Sequence, residues 1–253
     1  MKRFFTLYTL TIAATFLGCT KDGSGSVTPQ AGVGGSMARF AITDDVLYIV
    51  SPQSLEVYDL ANPAAPKKTA SARLGIGIET IYPHGKNLFI GANDGMYIYD
   101  NQNPLQPVLL SHYRHIQSCD PVVVQGKYAY VTLRGGTSCR TGNPVSTLDV
   151  VDISDLKNPK IAFSQALTSP YGLGVYGNRL FVCDGDNGLK LFTLEDPRMP
   201  ALVRTYADVP AYDVIVRNAG SLIVTGKKGL YQYGFSPDKK DLTELSVLPV
   251  QAN

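Results

Sequence analysis

A self-similar unit recurs five times along this chain of 253 residues, and that recurrence constrains the fold more than any single residue does. The apolar blocks LYIV at Leu47, LFIG at Leu88, AYVT at Ala129, LFVC at Leu180 and LIVT at Leu222 are each followed by a short polar or glycine-containing turn. A second block comes next: LEVYD, MYIYD, LDVVD, LKLFT or LYQYG. Pro66, Pro107, Pro159 and Pro200 then fall in register, with Asp241 in the fifth copy. Ahead of each pair stands a further block, ARFAIT, ETIYPHG, DPVVVQG, YGLGVYG or DVIVRNA. The period is roughly forty residues, in the range that marks propellers and solenoids.

Each unit holds about four short strands separated by turn residues, and no helical periodicity follows the N-terminal segment. The composition agrees: 15 Tyr and no Trp, with Val, Ile, Thr and Phe in short runs, suits half-buried pleated strands. One such sheet has two faces to bury, and radial stacking buries both while leaving only short edges. The chain is therefore expected to be all-β, a β-propeller of five four-stranded blades spanning residues 37–250, with a β-solenoid as the runner-up. The first copy opens on an inner strand and the last ends on an outer one. Closure without a shared strand is expected, with blade-to-blade packing carrying the ring.

The N-terminus is a different kind of segment. Lys2 and Arg3 precede the uncharged run FFTLYTLTIAATF, too short and Thr-rich for a spanning helix, so residues 1–18 read as a secretory signal. Leu17 and Gly18 before Cys19 resemble the lipobox at which a bacterial signal peptidase cleaves after lipid is attached to the cysteine, although Phe16 stands where that pattern prefers Leu. Acyl chains contribute about 0.8 kcal/mol per buried methylene, enough for two or three to hold a domain at a membrane. Residues 19–36, rich in Gly, Ser and Thr, read as a lipidated flexible tether. Thr20 in place of Asp resembles lipoproteins sorted to the outer membrane, and Lys21 and Asp22 resemble export signals of surface lipoproteins in Bacteroidota. The expected location is the outer membrane, facing the periplasm or the surface.

The blocks LEVYDLANPAAP, LDVVDISDLKNP and GLKLFTLEDPRMP resemble the LVIVD repeat of bacterial extracytoplasmic β-propellers, and CDPVVVQGKYAYVTLRGGTSC followed by PYGLGVYGNRLFVCDGDNGLK is similar to the Bacteroidota lipoproteins that carry it. The resemblance implies an architecture and a location. The family is defined by its repeat rather than an activity, so it implies no cofactor and no catalytic set. The fifth copy departs most, because LYQYGFSPDKKD lacks the usual Asp and the aligned Pro.

Propeller topology puts two sets of residues on one rim. The starts of the inner strands are Ala38, Glu79, Asp120, Tyr171 and Asp213. Three carboxylates around one mouth would favour a cationic ligand, unless each is engaged by backbone N–H groups or by Arg39 or Arg134. The turns supply Asn93, Asp94, Arg134, Asp184, Asp186, Lys227 and Lys228. DGDNG looks like a calcium loop but lacks the following Glu and helix, and a tight turn explains it. Blade three carries an enlarged turn, RGGTSCRTGNPVST, that brings Cys139 to the rim of Cys119, and an exported compartment favours a disulfide between them. Cys183 ends a strand and reads as a small buried hydrophobe. His84 is expected at the opposite rim, His115 near Cys119, and the three histidines show no zinc-ligand spacing.

A net charge of +2 with no basic cluster gives no reason to expect nucleic acid. The reading is a lipid-anchored binding or scaffolding module for a protein, glycan or small molecule, its candidate surface being Glu79, Asp120, Arg134, Tyr171, Asp184, Asp186 and Asp213. No cofactor or metal is expected, and its contact with the membrane is through the lipid alone. One alternative is a glycoside hydrolase using Glu79, Asp120 and Asp213 as acid and base. The other is a passive spacer within an envelope complex.

Overall fold

The computed structural model describes residues 35–114, 121–136, 145–217, 220–236 and 241–250. They form five four-stranded antiparallel sheets, each from consecutive strands, and no helix. Blade one is β1 (Phe40–Thr43), β2 (Val46–Ser51), β3 (Ser54–Asp59) and β4 (Lys67–Arg73). Blade two is β5 (Ile78–His84), β6 (Asn87–Ala92), β7 (Gly95–Asp100) and β8 (Val108–Tyr113). Blade three is β9 (Val122–Gln125), β10 (Tyr128–Leu133), β11 (Ser146–Asp152) and β12 (Lys160–Leu167). Blade four is β13 (Leu173–Tyr176), β14 (Arg179–Cys183), β15 (Leu189–Thr193) and β16 (Ala201–Tyr206). Blade five is β17 (Asp213–Arg217), β18 (Ser221–Gly226), β19 (Gly229–Phe235) and β20 (Leu242–Pro249). No strand is shared between first and last blades, as the phase of the repeat predicts.

The repeated residues have local causes. Asp59, Asp100 and Asp152 each end a third strand and accept, through Oδ1, the N–H two residues on at 2.8 Å. This Asx turn starts the connector to the outer strand, which explains why the block closes on Asp. The ladder between third and fourth strands slips once at the same place in all five blades, at Val57/Tyr58, Ile98/Tyr99, Val150/Val151, Leu191/Phe192 and Gln232/Tyr233. A bulge there adds right-handed twist, and its repetition gives every blade the same curl. Gly95, Gly188 and Gly229 open the third strand at positive φ, where a Cβ would lie 2.1–2.2 Å from a carbonyl oxygen of the outer strand. Only glycine fits that approach.

Packing between blades holds the arc together. Four apolar clusters lie between blades one and two, two and three, three and four, and four and five. Two tyrosines reinforce them: the buried hydroxyls of Tyr48 and Tyr130 donate to the next blade, at the Pro104 carbonyl (3.1 Å) and the Pro197 carbonyl (3.0 Å). The inner strands β1, β5, β9, β13 and β17 all line one central cavity, so the sheets surround a common axis.

The fifth junction differs. Successive inner strands lie side by side from β1 to β17, but β17 and β1 make no comparable contact among the described residues, and no apolar cluster joins blades five and one. Packing therefore carries four junctions and leaves a seam at the fifth, although blade-to-blade packing was expected to carry the ring. Gly35 and Ser36, read from the sequence as the end of the tether, are instead buried where the chain enters β1.

Candidate functional site

The central cavity, about 130 Å³, is lined by Ala41, Ile81, Val123, Leu173, Val175, Val214 and Val216 with Tyr82 and Ser36 among the few polar groups. Alternation along each inner strand sends every second side chain to the axis, and these positions are β-branched or aliphatic. Neither Glu79 nor Asp213 contributes to the wall. Glu79 is half-buried at a ladder slip between Ile78 and Thr80, which takes it out of register with the other inner-strand starts. The expected ring of carboxylates is thus not what these two residues form; Asp120 lies outside the described residues.

Asp213 has its own surroundings. It opens β17, and its carboxylate fits against two glycines: a Cβ on Gly35 would sit 2.2 Å from Oδ2 and one on Gly172 2.0 Å from Oδ1. Ser36 stands between blades, its Oγ accepting the Leu173 N–H at 2.7 Å and facing Asp213 Oδ1 at 3.5 Å. Burial raises the Asp213 carboxyl to about 6, opposed by hydrogen bonds from Val214 and Ser36. The N-terminal segment is thereby pinned to blades four and five across the mouth of the channel. Cys183 is buried nearby, its thiol pushed up by burial and then by the charges of Asp213 and Asp184, which makes it a core residue rather than a nucleophile.

The rim beside this mouth carries a cation over an aromatic pair. The guanidinium carbon of Arg134 lies 3.9 Å from the centroid of Tyr171, and Tyr171 tilts against Tyr212 with centroids 5.1 Å apart. Main-chain bonds fix the platform: the Tyr171 N–H reaches the Cys183 carbonyl at 2.7 Å, its carbonyl accepts the Thr132 hydroxyl at 2.6 Å, and the Tyr212 carbonyl accepts the Gly172 N–H at 2.9 Å. All three side chains are half-exposed. A cation held over a ring contributes about 0.5–2 kcal/mol, and Arg134 with the two tyrosines forms one half-exposed group at the rim.

The other predicted residues divide. Asp184 is fully buried, accepting the Ser169 N–H at 2.7 Å and pairing with Lys190 at 3.2 Å, so it builds the turn and offers nothing outward. Asp186 is exposed and 3.7 Å from Lys227, which joins the turns of blades four and five at the rim. The proposed partners Cys119 and Cys139, like His115 and the lipidation candidate Cys19, lie outside the described residues. His84 sits at the end of β5, its imidazole depressed by burial.

A second rim group joins Asp94 to two residues that were not foreseen. Tyr97 stacks on His112 with centroids 3.9 Å apart, donates to Asp94 Oδ2 at 3.0 Å, and has its hydroxyl raised to about 12 by burial and then by Asp94. His112 Nε2 is 3.6 Å from the same carboxylate. The signal lay in strand pairing, which puts Tyr97 opposite His112. Among the described residues no group of three or more His, Cys, Asp or Glu side chains could hold a metal ion.

With this geometry in view, the sequence can be set beside known proteins. Residues 118–137, 144–166 and 171–208 match the LVIVD repeat, which supports an LVIVD-repeat β-propeller. No curated protein matches the chain. Among solved structures, a protein of unknown function from Desulfotomaculum acetoxidans is 14% identical, with a TM-score of 0.66 over 82% of this chain and 68% of that one. The periplasmic gluconolactonase of Pseudomonas aeruginosa is 14% identical, with a TM-score of 0.62 over 84% of this chain and 68% of its own. A putative 6-phosphogluconolactonase from Bacteroides fragilis is 13% identical, with a TM-score of 0.60 over 82% and 66%. At these identities the likeness is one of fold. This chain spans about two thirds of each of those longer chains.

Proposed function

We propose that the chain is a binding propeller held at the outer membrane by lipid on Cys19, and that its ligand stacks on the rim formed by Arg134, Tyr171 and Tyr212. The observation that carries this reading is the half-exposed Arg134–Tyr171–Tyr212 platform, held by main-chain bonds from three blades' worth of sequence. The ligand it suits is a flat or ring-shaped group with some negative charge, such as an acidic sugar or a carboxylate-bearing side chain of an envelope protein. The lactonases of similar fold suggest a hydrolytic alternative, for which Glu79 and Asp213 were the candidate acid and base. An apolar channel wall and a glycine-enclosed Asp213 speak for binding over acid–base chemistry.

The test is a panel of acidic oligosaccharides and envelope proteins presented to the full chain and to Tyr171→Ala and Arg134→Ala. Loss of binding by roughly tenfold or more in both variants is expected for a site centred there. Equal binding by both variants, or by a chain whose 134–147 turn is replaced with a short one, would move the site elsewhere. Cys19→Ser should release the protein from the membrane fraction.

A further inference from the structure

At the ends of the sheets away from Arg134 and Tyr171, the junction between blades two and three departs from the repeat. Tyr48 and Tyr130 each donate to a connector carbonyl of the next blade, at Pro104 and Pro197. Blade two has Phe89 at that position, and blade three has Leu156 where blades one, two and four have Pro63, Pro104 and Pro197. With no hydroxyl from Phe89, the Leu156 carbonyl is bonded by Ser111 Oγ instead, at 2.6 Å. A recess opens beside these residues. Its inner part, about 320 Å³, is lined by Phe89, Leu156, His84, Asn87 and Lys127 among others. Its outer part, about 450 Å³, includes Lys86, Lys157, Asp100 and Asp155 and shares Asn87, Ser154 and Leu156 with the inner one. These volumes are in the range of small-molecule sites.

The fold does not ask for the lysines. Lys86 and Lys127 hold the second position of the turns joining the first two strands of their blades, where blade one has Asp45 and blade four Asn178. The two blades with lysine there are the two that flank the recess. Lys157 stands where blades one and two have Ala64 and Leu105; blade four has Arg198 there, but it pairs with Asp196 at 3.5 Å. Among the described residues none of the three lysines forms an ion pair.

The carboxylates of the wall are turned into their own loops. Asp100 accepts the N–H and the side-chain amide of Gln102 at 2.8 and 3.4 Å, and Asp155 accepts the Lys157 N–H at 2.9 Å and the Asn158 amide at 2.8 Å. Asp152, close by, is held first by Ser154, and Lys127 acts on it only weakly. No carboxylate lines the inner part, where Lys127 stands over an apolar floor with Asn87 and His84. The imidazole of His84, depressed by burial, keeps one N–H donor when neutral.

We propose that this recess binds a small sugar phosphate, the phosphate on Lys127, Asn87 and His84 and the sugar over Leu156 toward Lys86 and Lys157. Lysine serves a phosphate as a point charge, and the amide and imidazole add directed donors.

The test is calorimetric titration of the full chain with glucose 6-phosphate, glucose and inorganic phosphate. Glucose 6-phosphate should bind at least about tenfold more tightly than either of the others. Lys127→Ala should weaken it about tenfold or more, whereas Lys67→Ala, an exposed lysine on the outer strand of blade one, should change nothing. Phe89→Tyr restores the hydroxyl used at two other junctions, so it should narrow the recess and weaken binding while urea unfolding stays the same or moves upward. No saturable binding of glucose 6-phosphate up to about ten millimolar would overturn the proposal, as would equal binding of glucose or of inorganic phosphate. Equal weakening by Lys67→Ala would reduce the effect to general charge, and unchanged binding by Lys127→Ala or Phe89→Tyr would place the ligand elsewhere; either outcome overturns it. Binding to phosphatidic acid vesicles without binding of glucose 6-phosphate would assign the lysines to a membrane surface and overturn it too.

Discussion

Blades two to four and blades one and five are written in nearly the same residues, yet they are buried differently. In β6, β10 and β14 every position after the first is buried, whereas β2 alternates strictly between buried and half-exposed and β18 does so over its first four residues. A strand in the middle of the arc has a sheet on each side; a strand in an end blade has one on only one side. The repeat therefore specifies a two-faced element, and only its neighbours decide whether both faces are used. Apolar residues exposed in the end blades stand at positions that the middle blades use for packing, and that difference can be pressed experimentally.

The largest effect is expected for Phe181→Ala. Phe181 is fully buried in the cluster between blades four and five, and truncation should cost about 3–5 kcal/mol in urea unfolding. A sharper version uses one residue type at one repeat position. Ile90→Ala, fully buried, should cost about 2–4 kcal/mol, while Ile49→Ala, half-exposed at the seam, should stay within about 1 kcal/mol. Equal costs would mean that the seam is packed like the other junctions.

Asp213 gives a pH-dependent comparison. Its folded value, raised to about 6, exceeds the ordinary 3.8, so its contribution to stability is fully present below pH 3.8 and is lost as pH rises through about 6. Asp213→Asn keeps the shape without the charge. The variant should match the parent near pH 4, exceed it at pH 8 by roughly 1–2 kcal/mol, and lack the slope between. A parent with a flat profile would show that the clasp around Asp213 is open in solution. The smallest effect is expected for Tyr130→Phe, which removes one buried bond to the Pro197 carbonyl and should cost about 1 kcal/mol.

Much of the fold was legible along the chain. All twenty strands coincide with the repeated blocks and with the residues following the aligned prolines or, in the fifth copy, Asp241, because each block runs for one strand length and most breaks hold Gly, Pro, Asn or Asp. The site was only partly legible. Arg134 and Tyr171 were named from topology, and they meet. Tyr212 was missed because nothing local separates it from a packing tyrosine, and His112 because it is paired through a ladder rather than by spacing. Asp184 and Asp213 were read as outward groups, but one is held in a turn by Lys190 and the other enclosed by Gly35 and Gly172, which come from distant parts of the chain.

The chain alone determined the number of sheets, their strand order and the Asx turns between them, since these follow from periodicity and backbone preference within forty residues. The seam, the burial of Gly35 and Ser36 against blades four and five, and the raised carboxyl of Asp213 were decided only by the tertiary structure. Each depends on how far the arc bends before its ends approach, and that angle is the sum of four packing contacts that no single repeat contains.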